Sequence, residues 1–254
     1  MKAFILAAGF GTRLFPLTID RTKPAIPFLG KPLVGYVAEY LSRFGFRDII
    51  VNLHHQPESV KDALGDGSEY GVHIEYTLEE PDILGTSGAL SNARDLLDDE
   101  PFLIVNGKII TEIDIAAAVE AHRSGGGIAT MVLKPNVKRE RFTMVETEDG
   151  RVTGFGDLAH PFSEEEIRDT LHEPSVPLMF TGIHILEPEV FDYIPKGGYS
   201  DIVPSFYLPA MEDGKRIVAH ECGARRRIFR RERRWGQECP RSVVRMGRRF
   251  RSAG

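Results

Sequence analysis

Gly9, Gly11 and Arg13 fall together in the run Leu6-Ala7-Ala8-Gly9-Phe10-Gly11-Thr12-Arg13-Leu14. The chemistry open to such a loop is the binding of polyphosphate. Glycines let backbone N–H groups approach phosphate oxygens without interference from a Cβ, and the Arg13 guanidinium is a fork suited to pyrophosphate. Taken alone, the loop also fits a purely structural turn. Leu14 stands where a dinucleotide fingerprint has its third glycine, and no Gly-Lys-Ser/Thr follows, so neither that fingerprint nor a Walker loop is present.

The loop follows directly on an apolar segment of strand type, Lys2 to Ala8, which puts it at the carboxyl edge of a sheet, where open α/β folds bind ligands. Further strand-type runs occur at Asp48 to Leu53, Val72 to Thr77, Phe102 to Val105 and Gly127 to Leu133. Between them lie amphipathic segments near Pro32 to Phe44, Glu58 to Leu64, Ser87 to Leu97 and Ile113 to His122, the first with Pro32 at an N1 position. The alternation predicts a largely parallel sheet covered on both faces. Asp149-Gly150, between Phe142 to Glu148 and Arg151 to Phe155, signals an inserted antiparallel hairpin. Ser163-Glu164-Glu165-Glu166 reads as a capping box, Leu178 to Leu186 as another core strand, and Arg216 to Cys222 as a last one.

Size and composition allow one large core: 254 residues, 42% of them hydrophobic. The net charge of -5 is unevenly spread, because residues 225 to 254 hold twelve arginines, no lysine and two acids, a balance of +10 against -15 for residues 1 to 224. That contrast divides the chain into a body, 1 to 224, and an arginine-rich tail, 225 to 254. Cys222 and Cys239 are too few for a disulfide framework, and the apolar run Ala3 to Ala8 is too short for a signal-peptide core or a membrane span. A cytoplasmic protein with no membrane partner is expected; the oligomeric state, a homo-oligomer included, is left open.

The glycine loop is followed by Pro16-Leu17-Thr18, Lys23-Pro24-Ala25-Ile26-Pro27 and Gly30-Lys31-Pro32-Leu33. This succession closely resembles the sugar-1-phosphate nucleotidyltransferase family, which includes mannose-1-phosphate guanylyltransferases and glucose-1-phosphate thymidylyltransferases. Gly85-Thr86-Ser87-Gly88-Ala89-Leu90 is similar to the family's base-contacting segment and Val105-Asn106-Gly107 to its central motif, so the likeness covers roughly residues 1 to 220. The resemblance implies a three-layer αβα, Rossmann-like fold with a mostly parallel mixed sheet. It also implies transfer of a nucleoside monophosphate from a nucleoside triphosphate to a sugar-1-phosphate, with Mg²⁺ as cofactor.

Carried over residue by residue, the resemblance makes Leu6, Ala8, Gly9, Gly11 and Thr12 a nucleotide-binding set. Arg13 then stabilises the leaving pyrophosphate and Lys23 bridges the nucleotide and sugar phosphates. Gly85, Thr86 and Gly88 face base and ribose, while Asn106, Gly107, Thr181 and Gly182 lie by the sugar. Other readings stand beside these: a solvated loop lysine for Lys23, which Pro24 and Pro27 are expected to hold in an extended segment, and a helix-start turn for Gly85 and Gly88. His54 and His55 read as turn residues, since neighbours at a strand end point in opposite directions.

The chain departs from the family where metal is concerned. Lys108 occupies the position of an Mg²⁺-binding Asp, and no second Asp follows the Arg216 to Cys222 strand. An ammonium cannot coordinate Mg²⁺ but can lie against phosphate as a fixed cation, which makes Lys108 a catalytic candidate and leaves the metal ligands unknown. Glu112 and Asp114 are nearby carboxylates, Asp114 being more simply an N-cap. Sugar contacts are unassigned around Gly156-Asp157-Leu158. The alternative function is a catalytically silent nucleotide-sugar-binding regulator or sensor. The tail, with Phe229, Trp235 and Phe250 among its arginines, has the mixture that binds nucleic acid. Its abrupt onset reads instead as a shifted reading frame, and with an acidic body no nucleic-acid partner is expected.

Overall fold

The computed structural model describes residues 1–97, 100–137, 140–158 and 176–223. The capping box at Ser163 and the tail from residue 225 lie outside the described residues.

The first strand, β1 (Ala3–Leu6), shows why the sheet is buried on both faces. Ala3 and Ile5 belong to one core and Phe4 to another, because successive side chains of a strand point to opposite sides. A short ladder, β2 (Pro27–Phe28) with β3 (Lys31–Pro32), leads into α1 (Leu33–Arg43). Pro32 is therefore the N-cap, with extended backbone, and Leu33 rather than proline opens the helix: pairing with Pro27 keeps Pro32 in the ladder. Next come β4 (Asp48–Leu53), α2 (Pro57–Leu64) and β5 (His73–Leu78).

The expected helix from Ser87 starts earlier and breaks, giving α3 (Gly85–Asn92) and α4 (Arg94–Leu97). At Ala93 the N–H is shared by the carbonyls of Ala89 and Leu90, the tightening with which α-helices commonly end. Then follow β6 (Phe102–Asn106), α5 (Ile115–Gly125), β7 (Ala129–Pro135), β8 (Thr143–Glu148), β9 (Arg151–Leu158), β10 (Leu178–Leu186), α6 (Leu208–Glu212) and β11 (Ile217–Glu221).

The nine-stranded sheet has the order β5-β4-β1-β6-β10-β7-β11-β9-β8. Its first four strands are all parallel. Antiparallel pairing is more extensive in the other half than a small insertion would give, because β10 runs against β6, β7 and β8 while β7 and β11 are parallel. The β8–β9 hairpin turns at Asp149 (φ 48°) and Gly150 (φ 71°), the two positive dihedrals of a type I′ turn, as Asp-Gly foretells.

Two cores sandwich the sheet, giving the three-layer α/β architecture. On one side Val34, Val37 and Leu41 of α1, Val60 of α2 and Ile115 of α5 meet Ile5, Val51 and Val105. On the other, Leu90 of α3, Leu97 of α4 and Ala210 of α6 meet Phe4, Ile50 and Phe102. Among the described residues no helix is long and apolar enough to cross a membrane.

Candidate functional site

At the carboxyl edge of β1 the chain leaves the sheet between the ends of β4 and β6, and a row of polar contacts fixes where it goes. The Ala7 N–H donates to the Asn52 side-chain oxygen at the end of β4 (2.7 Å), and the Asn52 amide donates to Glu79 just beyond β5. Glu79 also accepts the Leu84 N–H at the start of α3 (2.7 Å). Its carboxylate is 1% exposed, and burial raises its pKa above the ordinary value, opposed by the hydrogen bonds from Leu84 and Asn52 and by His54. A buried carboxyl with both oxygens occupied ties four loop ends together. Neither Asn52 nor Glu79 was a sequence candidate. The available signal was Asn52 itself, a polar residue inside the apolar run Ile49-Ile50-Val51-Asn52-Leu53.

Beyond Ala7 the two loop glycines differ. Space around the α-carbon of Gly9 is open, with nothing within 4 Å of where a Cβ would stand, so a ligand can approach the backbone there. Gly11 has φ 66°, and a Cβ on it would meet Thr18 at 3.0 Å and Lys23 at 3.2 Å. Its carbonyl accepts the Leu14 N–H (2.9 Å), starting the short 3₁₀ turn Thr12–Leu14 that carries Arg13.

Lys23 sits in a second 3₁₀ turn, Lys23–Ala25, which corrects the expectation of an extended segment. Order there comes from burial of Pro24 and Ala25 and from the Ser59 hydroxyl accepting the Thr22 N–H (3.1 Å). Lys108 is brought in from β6 by Gly107, whose N–H donates to the Leu6 carbonyl (3.0 Å) and whose missing Cβ would collide with Ile5 at 2.9 Å.

The result is a cleft of about 140 Å³ lined by Leu6, Ala7, Gly9, Gly11, Thr12, Arg13, Leu14, Lys23, Pro24 and Lys108. Of the sequence candidates it gathers Leu6, Gly9, Gly11, Thr12, Arg13, Lys23 and Lys108, whereas Ala8 is buried and does not line it. Although Lys108 is exposed to solvent, its ammonium is held below the usual lysine range, first by partial desolvation at the cleft and then by repulsion from Lys23 and Arg13. Among the described residues no carboxylate pairs with any of the three cations. Such a cleft attracts an anion.

The other candidates form two separate groups. Gly85, Thr86 and Gly88 open α3 and dock it on the loop before α6. A Cβ at Gly85 would lie 2.6 Å from the Ser200 carbonyl and one at Gly88 2.4 Å from that of Gly198, while the Ser87 N–H donates to the Ser200 carbonyl (2.9 Å). Asn106, at the end of β6, meets Gly182 in the middle of β10, where that strand's register shifts: Gly182 has φ 81°, and the Asn106 amide nitrogen lies 2.0 Å from where a Cβ would be. The Thr181 hydroxyl donates to the Val132 carbonyl (2.8 Å).

His54 and His55 follow β4 as turn residues, but their rings do not diverge. Both pack on Phe10, with ring centroids 5.3 and 5.5 Å away, because the chain has left the strand at Leu53 and strand alternation no longer applies.

Magnesium requires oxygen ligands, and the cleft lining contains no carboxylate. Asp114 is occupied as the N-cap of α5, accepting the Ala117 N–H (3.2 Å), and Glu112 does not line the cleft. Among the described residues no three His, Cys, Asp or Glu side chains gather as a metal site. The residues present do not fit the magnesium ion that the family resemblance implies.

Residues 2–221 match the model of the family described as nucleotidyl transferase. Over 204 residues the chain is 36% identical to N-acetylmuramate alpha-1-phosphate uridylyltransferase of Neisseria meningitidis serogroup B, covering 80% of this chain and 83% of that one. It is 34% identical over 227 residues to UTP--glucose-1-phosphate uridylyltransferase of a Synechocystis species, covering 84% of this chain and 56% of the relative. With mannose-1-phosphate guanyltransferase of Schizosaccharomyces pombe it shares 34% over 225 residues, covering 85% and 57%. The chain thus spans little more than half the length of two of these relatives. In fold it is similar to a structure of a glucose-1-phosphate thymidylyltransferase from Bacillus anthracis in complex with sucrose, with a TM-score of 0.71, 23% identity, and coverage of 87% and 86%. The chain belongs to the nucleotidyl transferase family.

Proposed function

We propose that the chain transfers a nucleoside monophosphate from a nucleoside triphosphate to a sugar-1-phosphate, giving a nucleotide-diphosphate sugar and pyrophosphate. The observation that carries this reading is the convergence of Arg13, Lys23 and Lys108 on one cleft beneath an open glycine backbone. An oxygen of the sugar-1-phosphate attacks the α-phosphorus in line, a new phosphoanhydride bond forms, and the α–β bond breaks with its electron pair leaving on pyrophosphate. Catalysis of this kind depends on positioning and charge neutralisation.

In this reading Gly9, Gly11 and Thr12 offer backbone donors to the phosphates, and Leu6 lines the floor. Arg13 takes the charge developing on pyrophosphate, and Lys23 spans the nucleotide and sugar phosphates. Gly85 and Gly88 hold the start of α3 in place so that Thr86 borders base and ribose; Asn106, Gly107, Thr181 and Gly182 shape the sugar side. Nucleotidyl transferases generally use a divalent metal, but no step here is routed through one. The relatives named above act with uridylyl and guanylyl donors on different sugars, so base and sugar are for a substrate panel to decide.

The test is pyrophosphate release from the common nucleoside triphosphates against a set of hexose-1-phosphates. Release that requires both substrates supports the transferase. Nucleotide-sugar binding without release from any pair would sink it in favour of a silent sensor.

A further inference from the structure

We infer that the cleft takes its polyphosphate as the metal-free anion, with the Lys108 ammonium supplying the positive charge that a divalent cation would otherwise bring. Gly107 is locked on the end of β1 by its bond to the Leu6 carbonyl and by its contact with Ile5, so the next residue cannot avoid the foot of the glycine loop. Lys23 is brought close to the loop at Gly11, whose missing Cβ makes room for it, and Arg13 is carried by the turn that Gly11 begins.

Lys23 and Arg13 repel Lys108, and no carboxylate lines the cleft to offset the three cations. A divalent cation placed among them would find no carboxylate in the cleft lining and would be repelled by all three. The free polyphosphate carries two more negative charges than its magnesium complex and so matches a triply positive cleft better. Asp114 does not line the cleft, and one of its carboxylate oxygens already caps α5.

The inference rests on the transferase reading only for the identity of the anion, and its test needs no turnover. The full chain is titrated calorimetrically with inorganic pyrophosphate and with UTP, in EDTA and again in excess Mg²⁺. Binding in EDTA is expected to be at least as tight as in Mg²⁺. Lys108→Gln, which removes the charge, stays polar and adds no carboxylate, is expected to weaken binding in EDTA by about ten-fold or more, the worth of a charged hydrogen bond. Lys108→Asp should weaken it further and make Mg²⁺ strengthen binding. Thermal unfolding of each variant checks that it folds.

Wild type that binds neither ligand in EDTA but binds in Mg²⁺ would overturn the inference, as would a folded Lys108→Gln with undiminished affinity. Metal-free binding without release from any substrate pair would leave this inference standing and remove the transferase reading instead.

Discussion

Glycine occurs in the loop after β1 and at the junctions between other elements of this molecule, and does different work at each. After β1, the α-carbon of Gly9 faces open space; at the start of α3, just after β6 and in the middle of β10, the space a side chain would need at Gly85, Gly88, Gly107 and Gly182 is already filled by protein atoms. The first leaves room for a ligand and the second brings elements into close contact. A motif letter alone does not distinguish them.

The largest expected effect is on activity at the loop. Arg13 is exposed, in a short surface turn that buries no side chain. Arg13→Ala is therefore expected to lower kcat by about a hundred-fold, as removal of a transition-state donor does, with little change in thermal stability. Steady-state pyrophosphate release and a melting curve read both quantities. A loss of stability in proportion to the loss of rate would make Arg13 a structural residue.

Next comes a pair that sets the loop and the junctions against each other. Gly88→Ala puts a methyl 2.4 Å from a backbone oxygen and should destabilise the fold by about 1–3 kcal/mol. Gly9→Ala meets no protein atom, so its stability should stay within about 0.5 kcal/mol of wild type, while pyrophosphate affinity falls. Urea unfolding of the two variants checks this, and equal destabilisation would erase the distinction.

Two buried titratable groups give smaller effects, of opposite sign with pH. His184, hydrogen-bonded to the Tyr207 hydroxyl in the second core, has its pKa lowered by burial to about 3 from an ordinary 6.5. Between those values the unfolded chain binds the extra proton, so stability falls as pH drops below 6.5, by about 2 kcal/mol at pH 5. His184→Phe should remove much of that slope, leaving the part due to His122 and His220, whose pKa values are also lowered. Glu79 behaves in the reverse way. Its pKa is raised by burial, so the folded state holds the proton longer, and its contribution is full below the ordinary value of 4.5 and is lost as pH rises through the raised one. Glu79→Gln exchanges one acceptor for a donor, so it should cost about 1 kcal/mol and abolish that dependence. Denaturant midpoints at pH 4, 5 and 7 separate the two.

Much of the fold was legible because buried strands are written as apolar runs: β1, β4, β5, β6, β7 and β10 all lie within or close to the segments read from composition and period. The Asp149-Gly150 hairpin was legible because its turn demands two positive dihedrals. The antiparallel course of β10 between β6 and β7 was not, since strand direction depends on connections that local pattern does not encode. At the site, Gly9, Gly11 and Arg13 announced phosphate chemistry by type and spacing. Lys23 and Lys108 join them only because Gly11 and Gly107 permit close approach across long sequence separations. Asn52 and Glu79 were hidden, as burial of a polar group depends on a partner 27 residues away.

The central claim is that polyphosphate sits on the backbone of the glycine loop. The most direct measurement is the amide chemical-shift response of ¹⁵N-labelled protein to inorganic pyrophosphate. The account predicts that the amides of Gly9, Gly11 and Thr12 move with one saturation curve while those of Gly85 and Gly88 stay in place. Unmoved loop amides, with shifts confined to Gly85 and Gly88, would contradict it.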